Sequence, residues 1–371
     1  MAAKLTYTHD ELLADHQFPA RNRRGDILFH GGFDADDNYL PPRSLNRVPA
    51  IKAWSARVAA TGNPTQVITR EDVRREFFPN VQQTQLLLRN GCRDAMTRIL
   101  TMIGITEGFG NDGIRAFPQI DFQPHFKEPI DDACIGHLYK GLFEAHGNDE
   151  AGRGDEQGHD VMWYEIRDAA LNKPKITKDM FENLPLAPPP GYTGPAKASP
   201  EALTITSGLM NPVCPQLDPM IELLLTALAN ILVVELMAYD AFQWAKEVLG
   251  DPQGSAAPEW APQMVDYIQQ DENIHVAYLQ CALSEARCRT FIGQDGSMIP
   301  GKDVVDAVCR KVIRIHTGDR AERIAIYRMN QIRTELAGRA DGARILSEFA
   351  RLGPVPPERH TPVATAAAAI A

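Results

Sequence analysis

No two cysteines in this chain are spaced as C-x-x-C. The six, at positions 92, 134, 214, 281, 288 and 309, are scattered. A zinc ribbon needs paired cysteines and a disulfide framework needs a dense set, so neither is expected. Reduced thiols in a cytoplasm are the simplest reading. Basic runs are also missing. The net charge is −10 and the sequence pI about 5.5, which argues against a nucleic-acid partner. The opening stretch, MAAKLTYTHDELLADHQ, lacks an apolar core of signal-peptide length. No segment alternates strongly between apolar and polar residues, and no repeat at solenoid periods is visible. The expected fold is therefore all-α.

What is present is enough apolar material for one large domain or two ordinary ones: 371 residues, 44% of them hydrophobic. The most apolar window is Ile221 to Phe242. It approaches membrane-spanning length but contains Glu222, Glu235 and Asp240, and no comparable second segment exists. A helix buried on all sides is the reading, with no membrane partner.

Residues 1–80 are rich in Pro, Gly, Asn and Asp and read as an irregular arm. Within the arm, a helix is expected over 47–60 and a short one after Thr69, whose hydroxyl can cap REDVRREFF. A ligand-bearing helical region is expected over 81–290. Its first helix spans 81–107, with Cys92, Met96, Ile99 and Ile103 at helical steps, and Gly108 and Gly110 end it. Residues 108–130 read as an excursion. Helical sequence follows over 131–171, broken or unbroken at its glycines, and the prolines of 172–220 mark a surface connection. Helices return at 219–249 and 262–290. The remainder, 291–371, holds helices over 302–316 and after Thr317, then a frayed tail.

Two pairs carry the chemistry. Glu156 and His159 lie in DEQGHD; Glu272 and His275 lie in DENIHVAYLQ. Residues three apart on a helix share a face, so each pair can address one side of a metal. A dinuclear site in a four-helix bundle takes two such Glu-x-x-His pairs plus one Glu from each remaining helix. Glu235 supplies one, on the stripe of Leu224, Leu228 and Ile231, where an uncompensated carboxylate is costly. For the other, Glu107 and Glu144 compete. Glu107 follows Met96, Ile99 and Ile103 at the end of its helix. Glu144 qualifies if the chain breaks between Gly147 and Gly154.

This order of Glu, E-x-x-H, Glu, E-x-x-H resembles the ferritin-like carboxylate-bridged di-iron superfamily. That group includes ferritins, rubrerythrins, ribonucleotide reductase small subunits and bacterial di-iron oxygenases. The resemblance covers residues 81–290 and rests most on VVELMAYDAF and DENIHVAYL. It implies a ferritin-like four-helix bundle with an extra N-terminal arm and C-terminal helices. It also implies two iron ions held by Glu156, His159, Glu235, Glu272, His275 and either Glu107 or Glu144. The implied activity is that of an oxidase or oxygenase acting on a small organic substrate with dioxygen. Electrons would come from an external donor, because the chain shows no cysteine set for an iron–sulfur cluster and no nucleotide-binding glycine fingerprint.

Plainer readings stand beside each residue. Trp163 and Tyr239 are pocket candidates for which core packing is the preferred reading, and Arg167 with Asp168 could orient His159. His146 is read as partly exposed rather than as an extra ligand. Gly147, Gly152, Gly154 and Gly158 imply either local unwinding or close backbone approach. A dimanganese or peroxide-handling protein is the alternative enzyme. A helical binding protein with a degenerate site is the non-catalytic alternative. The acidic surface permits a homodimer without requiring one.

Overall fold

The computed structural model describes residues 3–115, 119–189 and 192–357. The C-terminal run read as a frayed tail lies outside them. The structure is mostly helical. The arm contributes α1 (His9–Leu12), α2 (Ser44–Ala60) and α3 (Arg70–Val73). The central helices are α4 (Val81–Arg89), α5 (Asp94–Arg115), α6 (Phe143–Ala151), α7 (His159–Ala170), α8 (Pro200–Leu209), α9 (Pro219–Leu249) and α10 (Trp260–Arg287). The last are α11 (Gly301–Ile315), α12 (Ala321–Ala337) and α13 (Gly342–Arg351). Strands are two or three residues long, among them β2 (Ile27–Phe29), which pairs in parallel with β5 (Glu156–Gln157).

Local chemistry sets several boundaries. Asn80 and Gln83 form a capping box at the start of α4. Asp218 caps α9, whose first residue, Pro219, has no N–H to lose there. The carboxylate of Glu335 on α12 accepts from the free N–H groups of Asp94 and Ala95 and so caps α5 from across the fold.

α9 packs most extensively on α10, and α5 on α6 and α7, while α7 also meets α10. The arm helix α2 lies on α10, α11 on α9 and α10, and α12 on α5. α9 has an 18-residue window of mean hydropathy 2.0, enough by composition to cross a membrane, but 61% of that window is buried inside the protein. It is a core helix.

Of the four apolar clusters among the described residues, two involve the long helices α9 and α10. One contains Leu224, Leu228 and Leu232 of α9 with Ile274, Tyr278 and Leu279 of α10. The other contains Phe242 and Val248 of α9, Met264 and Ile268 of α10, Met96 and Leu100 of α5, and Met162 and Trp163 of α7. Ligand-type residues lie close to where the two clusters adjoin on three helices: Glu107 on α5, Glu235 on α9, and Asp271 to His275 on α10. A fully buried Leu or Phe adds about 1.5–3 kcal/mol. The layer between adds nothing of that kind and needs another source of stability.

Three sequence expectations change. The helix expected over 81–107 is two helices, broken at Gly91, which takes φ +73°. Gly108 and Gly110 do not end α5; they lie inside it, and their G-x-G-x-x-G spacing with Gly113 forms no phosphate loop. Thr317 does not cap α12. Its hydroxyl donates to Ile313 O within a π-turn over His316–Arg320.

Candidate dinuclear metal centre

Seven ligand-type side chains converge in the polar layer. In one group Glu107, Glu150, His159 and Glu272 each offer an atom within 4.8 Å of the others. In a second, His146, Glu150, Glu235 and His275 do the same. Glu150 belongs to both. Its Oε1 lies 3.2 Å from His146 Nε2 and 3.3 Å from His275 Nδ1, while its Oε2 lies 3.5 Å from His159 Nδ1. Glu272 divides in the same way, with Oε1 at 2.9 Å from His159 Nδ1 and Oε2 at 2.5 Å from His275 Nδ1. Glu107 and Glu235 stand at the two ends.

The donor atoms fit metal ions better than they fit one another. His146 Nε2, His159 Nδ1, both Glu150 oxygens and Glu272 Oε1 are buried without a hydrogen-bond partner. So many unsatisfied buried polar atoms in one place are costly unless something lies between them. Four carboxylates balance the charge of two divalent ions, and the mixed oxygen and imidazole set suits iron or manganese.

The outer nitrogen of every imidazole is already engaged. His275 Nε2 is 2.9 Å from Asp149 Oδ2, His159 Nε2 is 3.1 Å from Asp271 Oδ2, and His146 Nδ1 is 2.7 Å from the Tyr278 hydroxyl. Such contacts fix the tautomer and aim the other nitrogen inward. The N-terminal arm completes this outer layer. Buried Arg43 and Arg47 both pair with Asp149, Arg43 through Nε at 2.9 Å and Arg47 at 2.8 Å. His30 Nε2 at 3.0 Å and the Tyr39 hydroxyl at 2.9 Å contact Asp271. Trp163 Nε1 donates to Glu107 Oε1 at 3.0 Å.

The electrostatics follow from crowding. Burial, then Glu150 and Glu272, pushes the Glu107 carboxyl well above the usual range, and burial with Glu272 does the same to Glu235. Burial also opposes charge on Glu150, but His159, His146 and His275 outweigh it and hold that carboxyl well below. Burial and Glu150 act against Glu272 as well, yet His275 and His159 bring it down to about 2. His159 and His275 are raised against burial, chiefly by Glu272, whereas burial and His275 keep His146 low.

Of the residues expected from sequence, the structure brings together Glu107, His159, Glu235, Glu272 and His275. It does not bring in Glu156 or Glu144. The chain leaves the helix after Ala151 and re-enters it at His159, with Gly152 at φ +81° and Gly154 at φ +62°. A Cβ on Gly152 would lie 2.3 Å from Glu156 O, and one on Gly158 would lie 2.3 Å from Gly152 N. Close backbone approach thus accounts for these two glycines. The tight loop puts Glu156 in β5, away from the cluster, beside Asp15 and His16 in a surface pocket. Glu144 is half-exposed and pairs with His9. Arg167 does not reach His159; its guanidinium binds Asp168 and Thr101. Tyr239 bonds Asn273 and lines a surface pocket with Leu236 and Val276. Trp163 is both a core residue and a partner of Glu107.

The sequence reading missed Glu150 and misjudged His146, which is fully buried in the cluster. A signal existed: the two stand four residues apart in FEAHGNDE, on one face of α6. Searches against family models, curated proteins and solved structures find no match to this chain.

Proposed function

We propose that this chain is a ferritin-like metalloprotein with a carboxylate-bridged dinuclear centre, iron being the metal, and that it oxidises a small organic molecule with dioxygen. The observation that supports it most is the posture of Glu150 and Glu272. Each turns its two oxygens to different imidazoles, so each is placed to bridge two ions. In this reading α5, the interrupted α6–α7 pair, α9 and α10 are the four bundle helices. The first E-x-x-H is replaced by Glu150 and His159, separated by a loop, and His146 is an added imidazole.

When bound, such a centre supplies the redox chemistry that dioxygen activation needs. The residues of the chain do the rest. Glu107, Glu150, His159 and Glu272 would hold metal on one side of the cluster, and His146, Glu150, Glu235 and His275 on the other. Asp149, Asp271 and Tyr278 keep the imidazoles aimed. The two apolar parts above and below exclude water. Reducing equivalents come from a separate donor.

The test is metal content, measured on the wild type beside Glu150→Ala, Glu272→Ala and Glu156→Ala. About two irons per chain are expected, lost in the first two variants and kept in the third. Near-ultraviolet absorption beyond the protein band should accompany the iron. Two manganese ions instead would move the reading to a peroxide-handling protein. No metal after anaerobic ferrous loading would leave a helical scaffold with a degenerate site.

A further inference from the structure

A cavity of about 380 Å³ lies between residues 66–71 of the arm and the α9–α10 pair. α3, which begins at Arg70, packs on α9. Leu236 and Tyr239 line the cavity from α9, and Val276 and Gln280 from α10. Leu236 follows Glu235 in the chain, Tyr239 comes one turn after Glu235, and Val276 follows His275. The cavity therefore borders the turns of α9 and α10 that carry Glu235 and His275. The Tyr239 phenol is near enough to the clustered carboxylates to register them: burial first, then Glu272 and Glu235, pushes it up to about 12.

The polar groups of the lining are already engaged. Gln280 accepts from Val67 N and donates to Ile68 O. Thr69 donates its hydroxyl to Asp72, and Tyr239 donates its own to Asn273 Oδ1. Leu236, Tyr239 and Val276 pack inward on the cluster of Leu228 and Tyr278, and their outer sides line the cavity. A guest thus meets hydrocarbon and the Tyr239 ring. The charges stand at the mouth, where Gln66, Arg70 and Glu71 are exposed. Arg70 is held by Asp240 and lies over the Tyr239 ring, 5.7 Å from its centre. A charged group carried inside would lose water without gaining a partner. An uncharged apolar one gains from burial, and an aromatic one gains further from its contact with Tyr239. Benzene fills a cavity of about 150 Å³, so one or two rings fit here.

We infer that this cavity is the substrate site of the proposed centre and takes an uncharged aromatic molecule of one or two rings, lying on Leu236 and Val276 and against the Tyr239 ring. This rests on the dinuclear reading and names the substrate class of that centre.

Calorimetric titration of the iron-loaded protein with indole, phenol, cyclohexanol and benzoate tests it. Indole and phenol should bind. Cyclohexanol, of phenol's size but without the ring, should bind about two- to tenfold more weakly than phenol, and benzoate more weakly still. Val276→Trp, which extends a bulky side chain into the cavity, should abolish binding of indole. Val276→Ala, which enlarges the cavity, should retain it and shows that the site survives substitution at this position. Iron per chain should match the wild type in both variants. Proton resonances of indole should also show paramagnetic relaxation in the iron-loaded protein that the metal-free protein does not produce. Absent binding of indole and phenol, binding of benzoate or cyclohexanol as tight as that of phenol, or indifference to Val276→Trp overturns the inference. So does indole bound to iron-loaded protein without paramagnetic relaxation, since the guest then lies away from the centre. The dinuclear reading fails separately, if no metal binds while the Val276-dependent binding of indole persists.

Discussion

Replacing Asp149 by Ala should strike the protein twice. Asp149 is fully buried and faces Arg43, Arg47 and His275 at once. Arg43 is 1% exposed and Arg47 0%, so without Asp149 two guanidiniums stay buried with no counter-charge. Removing one partner of a buried pair costs about 3–5 kcal/mol. Urea unfolding of metal-free protein should show that loss as a lower midpoint with an unchanged slope. The second effect is on metal. His275 loses the acceptor that fixes its tautomer, which should weaken metal binding by about 10- to 100-fold. A control separates charge from packing: Asp149→Ala combined with Arg43→Met and Arg47→Met removes all three charges. It should recover much of the stability but none of the metal affinity. A cost below about 1 kcal/mol, the range of an exposed pair, would refute the reasoning. So would a triple variant no more stable than Asp149→Ala.

Other expectations are simpler. In Gly110→Ala the new Cβ would lie 2.9 Å from Glu150 Cγ; helix content by circular dichroism should hold while metal per chain falls. Tyr278→Phe removes the partner of His146 Nδ1 and should lower affinity at one metal position more than the other, read as two separated phases in a ferrous titration. Glu144→Ala breaks only a half-exposed contact with His9 and should change stability by about 1 kcal/mol or less, with metal content intact. Because carboxylates and imidazoles must shed protons to bind metal, affinity should rise with pH, measured by competition with a chelator between pH 6 and 8.

Helical class was legible from the absence of alternating strands and from the stripes of α5 and α9. So was the convergence of three of the clustered side chains. Glu235, Glu272 and His275 sit on uninterrupted helices, where spacing in sequence equals spacing in space. The first half failed for a physical reason. Spacing of three residues puts Glu156 beside His159 only if the helix is continuous, and the loop after Ala151 makes it discontinuous. The donor is therefore Glu150, nine positions before His159. Gly108 and Gly110 misled in the opposite direction. They read as stops, but Gly110 lies inside α5 because a larger residue would collide with Glu150. The partnership of the arm with the centre had no local signature. His30, Tyr39, Arg43 and Arg47 are joined to Asp149 and Asp271 by pairings between residues more than 100 positions apart in the chain.

The placement of these donors also orders the birth of the protein. A chain leaving the ribosome exposes His30 and Arg43 first, Glu107 and Glu150 next, and Glu272 with His275 last. Half a cage exists only as loose carboxylates until α10 has emerged and folded back. Contacts so distant in sequence form late. On the dinuclear reading, metal capture therefore belongs to the finished chain. A truncation before α10 should leave a product that neither folds nor retains ions, whatever the metal supply during synthesis.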